Sequence, residues 1–234
     1  MIAIIDYGAG NLLSVVNAFK ALGCPVEVTR DRLELARSRA IVLPGVGAFG
    51  AGMEQLRRLD LIGPLNEEVW GKGKPYLGIC LGLQFLARES LEHGRHQGLG
   101  WLAGTVVPLK PPDPRFRVPH MGWNDVAPGR PCPLFEGLGE APVFYFVHSF
   151  HLQVEPEARD WVSATCWHGT EIVAAVSRDN IFGVQFHPEK SQWFGLKLMG
   201  NFIRLVQEDG LHAQKTPDPG VDFAGRFGGA EHTV

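Results

Sequence analysis

Over its first 90 residues the chain repeats one pattern: a short apolar run, a turn, then an amphipathic stretch. Ile2-Ala3-Ile4-Ile5 reads as a buried strand closed by Asp6 and the turn-forming Tyr7-Gly8-Ala9-Gly10-Asn11. Leu12, Val15, Val16, Phe19 and Leu22 then recur at helical spacing, and Gly23 ends that face. Pro25 to Thr29 alternates as a second strand, and Asp31 to Arg37 suits a short helix. Ala40-Ile41-Val42-Leu43 is a third strand, followed by a glycine-rich loop from Pro44 to Gly52. Helical segments are expected over 53–71, interrupted near Gly63-Pro64. Pro75-Tyr76-Leu77 begins a fourth strand that runs into Cys80, and Leu83 to Arg88 has the composition of a helix.

Beyond residue 98 the period changes from helical to alternating. Strands are predicted at Leu102–Leu109, Val118–Val126, Val143–Val147, Phe150–Val154, Trp161–Trp167, Ile172–Val176 and Ile181–Phe186. One mostly apolar helix is expected over Phe194–Val206. Alternating strands and helices followed by a run of strands predict an α/β fold. Its central sheet is mostly parallel, flanked by helices, with an antiparallel extension in the second half. The expected domain covers 1–210, and the Gly/Pro-rich stretch 211–234 reads as a flexible tail.

Composition narrows the class. With 234 residues and 45% apolar content the chain can bury a sizeable core. A net charge of −3 without a basic run argues against nucleic acid as a partner. No apolar run spans a bilayer and no basic leader precedes Ile2, so a cytoplasmic location is expected without a membrane partner. Cys24, Cys80, Cys132 and Cys166 are too sparse for a disulfide framework, and a reducing compartment fits them. No CxxC or HExxH pattern occurs, and His148 and His151 sit three apart on strands, pointing to opposite faces. No metal and no cofactor are predicted. Gly45-x-Gly47-x-x-Gly50 follows a strand but lacks the acidic residue a dinucleotide site needs.

The candidate chemistry centres on Gly78-Ile79-Cys80-Leu81-Gly82. Strand, sharp turn and helix, with a nucleophile at the turn and glycine two residues to either side, is the nucleophile-elbow pattern with sulfur in place of oxygen. Side chains at the flanking positions would clash in so tight a turn. A helix N-terminus behind the sulfur would favour the thiolate. Alone, the stretch is equally a buried thiol beside packing glycines. A base and its orienter change that balance. Pro188 ends the strand before it, so His187 lies at a strand end, and Glu189 can turn back onto the imidazole. Leu81 N–H and a peptide of Pro44-Gly45-Val46-Gly47 are candidates for the oxyanion contacts.

Taken together, Gly78 to Gln84, Asp6 to Asn11, Leu43 to Phe49, Pro119-His120-Met121-Gly122-Trp123-Asn124 and Gln185 to Ser191 resemble the class I (triad) glutamine amidotransferases. The Pro-Gly-Val-Gly loop and the Pro119–Asn124 stretch narrow the resemblance to the glutaminase subunits of imidazole glycerol phosphate synthases, over residues 2–208. That resemblance implies Cys80 as nucleophile, His187 as base and Glu189 as its orienter. It implies L-glutamine held by Gln84 and the backbone at Ser149 and Phe150, and oxyanion contacts from Leu81 and the Gly45-Val46 peptide, which would rotate. It further implies a heterodimer with a (β/α)₈-barrel cyclase subunit. That subunit would use the ammonia to make imidazole glycerol phosphate and aminoimidazole carboxamide ribotide in histidine biosynthesis. His120, Met121, Trp123, Asn124 and Tyr145 would line the interface, although Trp123 on sequence alone is equally a core residue. Triad amidotransferases of anthranilate, aminodeoxychorismate or pyridoxal phosphate synthesis, and a silent partner-binding scaffold, stay open as alternatives.

Overall fold

The computed structural model of the chain describes residues 1–8 and 10–209; the tail expected at 211–234 lies outside them. The repeating half builds strands β1 (Ile2–Ile5), β2 (Val26–Thr29), β3 (Ala40–Gly45) and β4 (Tyr76–Cys80). The rest supplies β5 (Ala87–Ser90), β6 (His96–Gln97), β7 (Leu102–Pro108), β8 (His120–Pro128) and β9 (Val143–His148). β10 (Phe150–Val154), β11 (Val162–Trp167), β12 (Glu171–Arg178) and β13 (Ile181–Val184) complete the set. Nine strands form one sheet in the order β2-β1-β3-β4-β13-β12-β11-β8-β9. β2 through β13 in that order are parallel, and β12, β11, β8 and β9 extend them antiparallel, as the change of period foretold.

The continuous apolar runs of β1, β3 and β4 follow from burial on both faces. Ile2 and Ile4 point to a core shared with Val42, Leu77, Ile79, Phe19 and Phe202. Ala3 and Ile5 point to the opposite core, with Leu43, Tyr76, Phe49, Met53 and Leu56. Helices α1 (Leu12–Ala21), α2 (Arg32–Arg37), α3 (Phe49–Arg58) and α4 (Ile62–Leu65) connect the parallel strands. α1 starts on Asn11, whose side chain accepts from Ser14 N–H, and stops before Gly23. No described helix is long and apolar enough to cross a membrane.

Three local expectations are corrected. The helix after Arg58 breaks at Leu59–Leu61, with Asp60 at φ 52°, rather than at Gly63-Pro64. Pro64 lies in the first turn of α4, where its missing N–H has no partner to lose. Behind Cys80 the helix α5 (Leu81–Gln84) is one turn long, and Ala87 begins a strand. The Phe85 and Leu86 carbonyls accept from Leu99 and Leu102 N–H, and β5 pairs with β6 and β7, so tertiary ladders override helix propensity. These strands and β10 make a second, four-stranded sheet, order β10-β7-β5-β6, which the period did not reveal. His96 lies on β6, where its ring would be within 2.6 Å of a Cβ at Gly50. A final helix, α6 (Gln192–Asp209), covers the first core through Leu198, Met199, Phe202 and Val206.

Candidate active site

Register places the site. β4 is flanked in parallel by β3 and β13, with Gly45 opposite Cys80 and Val184 opposite Ile79. The loop after β3, the end of β4 and the segment after β13 therefore meet at one sheet edge, where ligands of such sheets bind. Cys80 adopts φ 55°, ψ −103°, a strained region for a residue with a Cβ. Such strain persists only where the surroundings over-determine it. They do so through the two glycines: a Cβ at Gly82 would stand 1.8 Å from the Leu43 carbonyl, and one at Gly78 would stand 2.4 Å from that of Gly82. Tyr76 hydroxyl donates to the Gly82 carbonyl at 3.0 Å and pins the turn from below. With only four residues, α5 offers less dipole at Cys80 than a full helix would.

His187 and Glu189 follow β13 on a short turn, Pro188–Lys190. His187 Nδ1 is 2.8 Å from Glu189 Oε1, and both side chains are nearly fully buried. A carboxylate accepts, so Nδ1 carries the proton and Nε2 is the basic nitrogen. Nε2 is buried and forms no hydrogen bond of good geometry with the described protein atoms. Burial opposes a charge on the ring. The Cys80 sulfur and the Glu189 carboxylate outweigh it and raise the imidazole pKa above its usual value. The backbone holds the ring in place: His187 N–H donates to the Tyr145 carbonyl at 2.8 Å, and Ser191 Oγ donates to the His187 carbonyl at 2.6 Å.

Gln84 ends α5 inside the site, with its Nε2 donating to the Phe150 carbonyl at 3.0 Å and to Gln185 Oε1 at 3.1 Å. Its own Oε1 is left for another donor. The Ser149 carbonyl is taken by Leu109 N–H at 2.8 Å. On the other side Gly45 is buried and Val46 is 42% exposed, with Gly47 at φ 97°. The loop's far end is held where Phe49 N–H meets the Glu92 carboxylate at 2.6 Å.

Two site residues escaped the sequence reading. Gln185 is fully buried and donates to Cys80 Sγ at 3.7 Å. It precedes Phe186-His187 as an ordinary polar residue of a strand, and only register reveals it. Tyr7 packs its hydroxyl 2.2 Å from where a Gly45 Cβ would be, without a hydrogen-bond partner among the described residues. Burial, then the Cys80 charge, push the phenol pKa upward.

The expected interface residues separate into two groups. Met121 and Trp123 are 61% and 49% exposed, and Trp123 packs edge-on to Tyr145 across β8 and β9. Lys190 Nζ lies over the Tyr145 ring. Trp123 is thus a surface residue, not a core one. His120, in contrast, is 3% exposed, so it lines no surface; it is stacked between Phe146 and His168. The alternation of β8 turns it inward while Met121 and Trp123 turn out. His120 Nδ1 meets His148 Nε2 at 2.9 Å, and Asn124 Nδ2 meets His120 Nε2 at 3.1 Å. His148 Nδ1 in turn reaches the Phe150 carbonyl at 2.9 Å. Among the described residues no group of three or more His, Cys, Asp or Glu side chains is placed to hold a metal ion.

The family model described as glutamine amidotransferase class-I matches residues 3–204. The chain belongs to the class I glutamine amidotransferases. This amidotransferase is 45% identical over 206 residues to imidazole glycerol phosphate synthase subunit HisH 2 of Pseudomonas aeruginosa, covering 88% of this chain and all of that one. It is 46% identical to the HisH subunit of Salinibacter ruber (88% and 94% covered) and 48% identical to that of Zymomonas mobilis (86% and 94%). A crystal structure of a glutamine amidotransferase superposes with a TM-score of 0.68 over 88% of this chain and all of the other. At 19% identity that likeness concerns the amidotransferase fold alone.

Proposed function

We propose that this amidotransferase is the glutaminase subunit of an imidazole glycerol phosphate synthase, acting in the cytoplasm as a heterodimer with a cyclase subunit. Residues 1–210 form its catalytic domain. The observation that carries the reading is the strained Cys80 beside the buried His187–Glu189 pair, in a chain similar to HisH subunits over nearly their whole length.

The reaction follows from the geometry. Cys80 gives its proton to His187 Nε2, and Sγ attacks the side-chain amide carbon of glutamine. Negative charge moves to the amide oxygen, where Leu81 N–H in the first turn of α5 is free of an intrahelical acceptor. The second contact comes from the Gly45-Val46 peptide after rotation. The C–N bond breaks as His187 returns its proton to the leaving nitrogen, releasing ammonia and a γ-glutamyl thioester. Water, deprotonated by His187, then hydrolyses the thioester to glutamate and restores the thiol. Glu189 keeps the ring in the tautomer these steps need. Gln84 Oε1 and the backbone at Ser149 and Phe150 hold the substrate. The ammonia leaves toward the cyclase, which docks over Met121, Trp123 and Tyr145, while Asn124, on the His120 side of β8, orients that ring.

The test is Cys80→Ala in the complex with the cyclase subunit. Glutamine-dependent synthesis is expected to vanish while synthesis from added ammonium salt persists. Loss of both would mean that Cys80 is structural, and retention of both would sink the nucleophile assignment. Adding other synthase subunits in place of the cyclase separates the anthranilate, aminodeoxychorismate and pyridoxal phosphate alternatives: only the true partner raises glutamine hydrolysis.

A further inference from the structure

We propose that Gln185 is a further catalytic residue of this site, its side-chain N–H donating to the Cys80 sulfur and favouring the thiolate. The inference rests on Cys80 being the nucleophile. Gln185 follows β13 by one residue, and the pairing of Val184 with Ile79 sets it beside Cys80. Its side chain has no solvent exposure, and Nε2 stands 3.7 Å from Sγ.

A chain of directed bonds determines which end of the amide faces the sulfur. The Phe150 carbonyl can only accept, so the Gln84 atom facing it is the amide nitrogen. That nitrogen also meets Gln185 at 3.1 Å, which makes the Gln185 atom there the oxygen. Turning the Gln185 amide over would set donor against donor at Gln84 and leave an oxygen facing the sulfur. His148 ties its Nδ1 to the same Phe150 carbonyl. The donor at the nucleophile is thus oriented from the backbone that holds the substrate.

The chemistry gives that donor a direction of action. A thiol or thioester sulfur is a weak acceptor and a thiolate a strong one. The bond therefore strengthens when Cys80 loses its proton to His187, weakens as the S–C bond forms, and strengthens again as that bond breaks and the thiolate returns. With one helical turn behind it, Cys80 has little other neutral stabilisation. The titratable groups facing it are His187 and, from the loop after β1, the Tyr7 hydroxyl; Glu189 acts through His187. Substitution at Gln185 leaves all three in place.

The experiment follows alkylation of Cys80 by iodoacetamide against pH in the intact chain, read by mass spectrometry of the Cys80 peptide. Cys24, partly exposed and distant in the fold, is the internal reference. Gln185→Leu is expected to move the Cys80 midpoint upward by about 1 pH unit, the size of one charge-assisted hydrogen bond. Gln185→Glu, which keeps the acceptor that Gln84 uses but sets a carboxylate against the sulfur, is expected to move it further, with Cys24 unchanged. Glutamine turnover with the cyclase falls in the same order. Coincident profiles in variants that melt like the unmodified chain would overturn the proposal, as would equal shifts for Leu and Glu, the mark of lost packing. If Gln185→Leu does not fold, the Glu variant decides alone. Cys80→Ala separates the two readings: an alanine variant that still hydrolyses glutamine removes the nucleophile and Gln185 together, whereas an inactive alanine variant alongside unmoved Cys80 alkylation profiles in the Gln185 variants removes Gln185 only.

Discussion

Cys80 combines a positive φ with a non-glycine side chain, and the glycines two positions away make that combination possible. Adding a methyl group at Gly82 brings it against the Leu43 carbonyl, backbone against backbone, where neither side can swing away. Gly82→Ala is therefore expected to destabilise the fold by about 3 kcal/mol or more, measured as a lowered urea midpoint. A variant within about 1 kcal/mol of the unmodified chain would mean the elbow is not packed as described. At this scale the sequence was informative about identity and silent about partners. The spacing of Gly78, Cys80 and Gly82 and the run His187-Pro188-Glu189 are local signals, because each describes one turn of backbone. Leu43 as the atom that excludes a side chain at Gly82 belongs to another strand, and no local pattern names it.

Between β8, β9 and β10 the histidines make a one-way path. The Phe150 carbonyl requires a proton on His148 Nδ1, so His148 Nε2 accepts from His120 Nδ1, and His120 Nε2 accepts from Asn124. Both rings are neutral in this arrangement. Burial, helped by the His168 charge, lowers His120 to about 4, and burial, helped by His120, lowers His148 to about 3. Each folded pKa lies below the unfolded value near 6.5, so the unfolded chain binds more protons below that pH. Stability is complete above about pH 6.5 and declines as pH falls toward 4, on the order of 2 kcal/mol per histidine by pH 5. Urea midpoints at pH 7 and pH 5 are expected to show this loss, and His148→Gln to show less of it. An acid sensitivity unchanged in His148→Gln would place its source elsewhere. The strands carrying these rings were legible from alternation, but the pairing of His120 with His148 was not. The two residues lie on neighbouring strands joined by a long connection, whereas a local pattern sets His148 only beside His151.

Across the whole molecule the exposed Met121 and Trp123, with the half-buried Tyr145, lie next to the His187–Glu189 pair, since the Tyr145 carbonyl holds His187 N–H. On the proposed function, a cyclase docked there sits beside His187. Trp123→Ala is expected to weaken the cyclase complex by about 2 kcal/mol, roughly 30-fold in Kd, because central aromatic anchors carry much of an interface's energy. Titration calorimetry would register it, and unaltered affinity would move the docking surface away from β8. By itself the sequence determined the strand–helix alternation, the change to antiparallel strands, the elbow at Cys80, the His187-Pro188-Glu189 turn, and the family. All of these rest on period, on turn chemistry or on short motifs, which a chain carries locally. Only the tertiary structure decided that the helix behind Cys80 stops after one turn, that His120 points inward, and that Gln185 and Tyr7 face the sulfur. Those follow from strand register and from ladders between distant segments, where the alignment of β13 on β4 brings Gln185 to Cys80, 105 residues away.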